Sequence, residues 1–137
     1  MTLSVRPRRG ARRSVTLARG AVLANFGLRG AYGVAMLAAP GRIGRPWLGR
    51  PDPAAPSDVP LRGVGGRELA LHATGAAAIV RSAPARTWLL ASLSGDLTDI
   101  ASSIVQRRQL PQGGLRACLL TGGGSALTTL VLLAVSD

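Results

Sequence analysis

Four stretches of the chain are mostly apolar: about residues 21–39, 64–80, 87–105 and 115–135. Each runs for roughly 17–21 residues, about the length at which a helix matches the hydrocarbon thickness of a bilayer. Pro40, Gly41 and Gly44 close the first stretch, and Gly63, Gly65 and Gly66 open the second. A short turn at Ser82, Ala83 and Pro84 separates the second from the third, and residues 106–114 lead into the fourth. Between the first two lies a segment, residues 41–62, that holds Pro46, Pro51, Pro53, Pro56 and Pro60. Spaced prolines remove helical donors, so this segment is predicted to be a loop, partly packed through Trp47 and Leu48.

The pattern predicts an all-α fold, a four-helix transmembrane bundle formed by residues 21–137. The competing fold is a soluble four-helix bundle, which needs a polar outer face on every helix. The fourth stretch offers only Thr121, Ser125, Thr128 and Thr129 for such a face. Composition points the same way. Aromatic residues are 3% of the 137, too few for a sizeable water-soluble core, whereas abundant Ala and Gly suit helices that approach closely in lipid.

Charge adds a second theme. The net charge is +11, and every basic residue is Arg. Residues 1–20 carry Arg6, Arg8, Arg9, Arg12, Arg13 and Arg19 without an acid, and are expected to form a flexible basic arm. An anionic partner follows. Beside a first membrane helix, the lipid headgroups of the bilayer satisfy that need. Nucleic acid is disfavoured because stacking aromatics are almost absent and no helix-turn-helix or RNA-binding signature accompanies the arginines. The arm places the N-terminus of a multi-pass cell-membrane protein in the cytoplasm. The other loops are nearly balanced in arginine, so orientation rests on the first helix. A twin-arginine signal or organellar presequence fits poorly, since Arg19 and Arg29 interrupt the apolar region.

Ionisable residues inside membrane helices are costly and turn inward to find partners. Counting outward from the turn at Ala83 and Pro84 sets Glu68 and Arg67 level with Asp99. It sets His72 within a helical turn of Asp96. Arg29 and Asp96 lie at similar depth in helices expected to run parallel. Two inward pairs are therefore expected, Arg29 with Asp96 and Arg67 with Asp99. Ser92, Asp96, Asp99 and Ser103 share one helix face, as do Glu68, His72, Gly75 and Ile79. Such a cluster can fix the register of the bundle, line a path for a solute or proton, or hold a divalent cation. The first use is preferred. No metal or cofactor is expected, because the spacing follows no established ligand motif.

The glycine-rich segments at 63–66 and 122–125 lack the residues that complete a nucleotide-binding loop, and no nucleophile elbow is present. Cys118, the single cysteine, opens an apolar run and reads as packing. Enzymatic activity is not expected. Gly66-Arg67-Glu68-Leu69-Ala70-Leu71 followed by Asp96-Leu97-Thr98-Asp99 resembles small uncharacterised four-helix membrane proteins of GC-rich bacteria. In these a Gly-x-Arg-Asp/Glu-Leu element precedes an aspartate-bearing helix. His72 and Thr74 depart from that pattern, where small apolar residues or glycine are more usual. The resemblance implies the four-helix membrane architecture and no activity. The expected role is structural or accessory, with a membrane partner or a second copy of the chain. The alternatives are a small transporter or proton-linked subunit and, third, a soluble basic nucleic-acid-binding protein.

Overall fold

The computed structural model describes residues 9–50 and 58–136. Among these the chain forms five helices and no strand: α1 (Arg9–Ala38), α2 (Pro40–Leu48), α3 (Asp58–Val80), α4 (Ala85–Val105) and α5 (Gly114–Val135).

Two expectations are corrected. The basic arm is helical from Arg9 onward, because Ala, Arg and Leu propagate a helix once it starts and no proline follows Pro7 in this segment. Arg9, Arg12 and Arg13 thus belong to α1, whereas Arg6 and Arg8 lie outside the described residues. The segment 41–62 is not a continuous loop. It contains most of α2 and the first turn of α3. Two prolines sit where they cost little. Pro40 is at the start of α2 and Pro60 is the third residue of α3, positions whose N–H groups have no intrahelical acceptor. Among the described residues of this segment, Pro46 lies in a helix interior. Pro51, Pro53 and Pro56 fall outside the described residues.

Pro40 also ends α1, since the residue before a proline is pushed out of helical geometry, and Ala39 adopts φ −139°. Helix α3 closes with two overlapping bonds, Ala83 N–H to the Ala78 carbonyl at 3.0 Å and Ser82 N–H to the Ile79 carbonyl at 2.9 Å. This closure puts Ser82 in the left-handed region at φ 71°. Arg19 completes the end of α3 by donating to the carbonyls of Ile79 and Val80. It therefore caps a neighbouring helix rather than extending freely in a surface arm.

Helices α1, α3, α4 and α5 run up, down, up and down. Arg19 meets the end of α3, Phe26 meets Gly75, and Gly33 meets Gly65, so α1 and α3 are antiparallel. Their backbones touch. A Cβ on Gly33 would lie 2.7 Å from the Gly65 carbonyl oxygen, and one on Gly65 would lie 2.9 Å from that of Gly33. Only glycine allows this approach. Asp99 faces Cys118 across α4 and α5, and Ile100 packs beside Gly122. Helix α2 crosses one end of the bundle. Gly44 rests on Leu61, the Trp47 indole donates to Ser103 Oγ at 3.0 Å, and the Trp47 carbonyl lies close over Gly114.

The interior mixes apolar and charged side chains, while many large apolar side chains lie on the outside. An apolar cluster of Val22, Phe26, Ile79, Leu89 and Leu132 fills the end near the α3–α4 turn. Beyond it the interior holds Arg29, Glu68, His72, Ser92, Asp96, Ser103 and Thr129. Leu28 is 73% exposed and Leu127 64%, with Leu90, Leu97, Ile104, Leu120 and Val131 also outward. Two helical stretches, Val15–Ala38 and Gly114–Val135, are long and apolar enough to cross a membrane.

Candidate functional site

Arg29 of α1, Arg67, Glu68 and His72 of α3, and Asp96 and Asp99 of α4 converge in one cluster of the bundle. Arg29 is at the centre and 8% exposed. Its Nη1 and Nη2 reach Asp96 Oδ2 and Oδ1, both at 2.7 Å, in a parallel two-pronged pair. Its Nε and Nη2 donate to Glu68 Oε2 at 3.2 and 2.9 Å. Nη1 also donates to the Ser125 hydroxyl of α5. A guanidinium has five N–H donors in one plane, and here each has an acceptor. Arg29 therefore joins all four long helices.

Glycine makes the position accessible. Gly30 beside Arg29 is buried, and the contact of Gly33 with Gly65 draws α1 onto α3, so that the guanidinium reaches Glu68 one turn further along. On α3 and α4 the periodicity does the rest. Glu68 and His72, four residues apart, share the inner face of α3, while Ser92, Asp96 and Ser103 are buried on one face of α4.

Arg67 lies at the open edge of the cluster. Its Nη2 donates to Asp99 Oδ2 at 2.9 Å and to Glu68 Oε1 at 3.3 Å, with side chains of Arg67 and Asp99 40% and 29% exposed. His72 is fully buried. Its Nδ1 lies 2.7 Å from the carbonyl oxygen of Glu68, which can only accept, so Nδ1 carries a proton. Nε2 lies 3.0 Å from Ser92 Oγ, linking α3 to α4. The Phe26 ring meets the imidazole edge-on at 5.1 Å.

The structure thus brings together Arg29 with Asp96 and Arg67 with Asp99, and adds partners that the sequence analysis did not assign. Glu68 is a second acceptor for Arg29, and Ser125 a third. Ser125 could have been found, because counting outward from the α4–α5 turn sets it level with Asp96. Among the described residues no three His, Cys, Asp or Glu side chains are placed to hold a metal ion. The guanidinium of Arg29 occupies the space between the carboxylates of Glu68 and Asp96.

Two open hollows indent the surface at opposite ends. One is lined by Val15, Arg19, Ile79 and Val135, the other by Arg107, Leu110, Arg116 and Leu119. Neither reaches the cluster. The cluster presents ion pairs and charge-assisted hydrogen bonds between α1, α3, α4 and α5. No family model, curated protein or solved structure matches the chain.

Proposed function

We propose that the chain is a multi-pass protein of the cell membrane in which α1, α3, α4 and α5 all cross the bilayer. The apolar exterior over a partly charged interior carries this reading. A soluble core helix is mostly buried, but only 28% and 22% of the apolar windows in α1 and α5 are covered. Helices α3 and α4 are less apolar because they carry Glu68, His72, Asp96 and Asp99, and these charges are satisfied inside the bundle. The basic first turns of α1 suit a cytoplasmic surface with anionic headgroups.

The role proposed is structural or accessory. The cluster locks four helices in register, while the apolar exterior faces lipid or a partner in the membrane. The filled interior around Arg29 favours this over transport of a solute. Membrane fractionation tests it. The expressed protein should stay in the membrane pellet through an alkaline carbonate wash and a high-salt wash. Release by salt alone would overturn the proposal and favour a soluble, nucleic-acid-binding protein.

A further inference from the structure

The cluster is one positive charge short. Glu68, Asp96 and Asp99 bring three carboxylates, whereas Arg29 and Arg67 bring two guanidinium groups. With a neutral imidazole at His72 the group carries a net single negative charge. An uncompensated charge is expensive in a low-dielectric interior, and one added proton would remove it.

The geometry limits where that proton can go. Both oxygens of Asp96 accept from Arg29, and both oxygens of Glu68 accept from Arg29 or Arg67. Asp99 is held by Arg67 at the exposed edge. These carboxylate oxygens already accept from N–H donors. His72 differs. Its Nδ1–H is committed to the Glu68 carbonyl, but Nε2 keeps a lone pair toward the Ser92 hydroxyl. That hydroxyl can reverse its role from donor to acceptor and direct its own proton to a carbonyl of the preceding turn.

We propose that the cluster binds one exchangeable proton and that His72 Nε2 is the atom that holds it. A proton from water forms the Nε2–H bond, the cluster passes from one net negative charge to none, and Ser92 becomes the acceptor. Each packed element contributes to the setting of the ring. Helix α1 supplies Arg29 and the apolar edge of Phe26, and α3 supplies Arg67 and Glu68, whose Oε2 lies 3.5 Å from Nδ1. Helix α4 supplies Ser92, Asp96 and Asp99, and α5 adds the Ser125 hydroxyl on Arg29. The site would strengthen the contact between α3 and α4 when protonated and thereby couple helix packing to proton concentration. This rests on the membrane-embedded reading, which the fractionation decides independently.

His72 is the single histidine, so its ring nitrogens can be followed without ambiguity. The full chain, purified on a histidine-free tag and labelled with 15N-histidine, would be titrated by NMR in nonionic micelles. The expected result is a neutral ring with Nδ1–H at alkaline pH that becomes protonated on both nitrogens as pH falls. In Glu68→Gln the cluster loses its excess negative charge, and half-conversion should need about tenfold more protons. Asp99→Asn should move it in the same direction, and it carries the comparison alone where Glu68→Gln does not fold. A ring that stays neutral at every pH at which the chain is folded would overturn the proposal. So would a transition that remains at the wild-type pH in the folded variants.

Discussion

Arg29 and Asp96 meet fork to fork across α1 and α4, both bonds at 2.7 Å, although 67 positions separate them in the chain. A buried pair of this kind adds little net stability over an apolar pair, but breaking it leaves charges stranded. Arg29→Ala strands both Glu68 and Asp96. The expected loss is about 3–5 kcal/mol, read as thermal unfolding of the purified protein in mild detergent. Arg29→Lys should recover little of it, because an ammonium group cannot reproduce the planar fork. Full stability in Arg29→Ala would mean that the cluster does not hold the bundle.

The approach of α1 to α3 through Gly33 and Gly65 predicts a contrast between two glycines of one helix. Gly33→Ala places a methyl group against backbone atoms that cannot yield, and should destabilise by about 1–3 kcal/mol. Gly27→Ala meets nothing within 4 Å and should be neutral or gain up to about 1 kcal/mol from helix propensity. Equal effects of the two in the same melting assay would contradict the close approach.

Ser82 offers a stabilising change. At φ 71° a serine bears a steric cost that glycine avoids, so Ser82→Gly should raise stability by roughly 1 kcal/mol. A lower melting temperature would show that the serine side chain compensates for its backbone.

The outward face of α5 should not tolerate charge. Leu127→Arg puts a guanidinium where the lipid is expected, at a cost of about 2.5–3.5 kcal/mol for insertion near a helix centre. The measurable result is a sharp fall in the fraction of chains that resist carbonate extraction. Unchanged resistance would place this face in water or against a protein.

What could be read from the sequence divides along physical lines. The four long helices follow from apolar run length. Counting rise per residue away from a tight turn levels Arg67 with Asp99, and counting into the first and third apolar stretches levels Arg29 with Asp96. Helix α2 was hidden because proline rules speak to helix interiors, while Pro40 and Pro60 occupy first turns. Helix α1 began earlier than its apolar run because arginine and alanine favour a helix even without an apolar face. The second carboxylate partner of Arg29, Glu68, was hidden for another reason. It depends on the side-by-side packing of α1 and α3, which two glycines set and which no depth count reveals.

The acceptor for one Arg29 donor, Ser125, lies 96 positions downstream. During synthesis the first helix is therefore made long before the residues that neutralise and cap its arginine. Until α5 packs, one N–H of the Arg29 guanidinium lacks its Ser125 acceptor, so the donor set of this side chain is completed only by a residue made after both of its carboxylate partners.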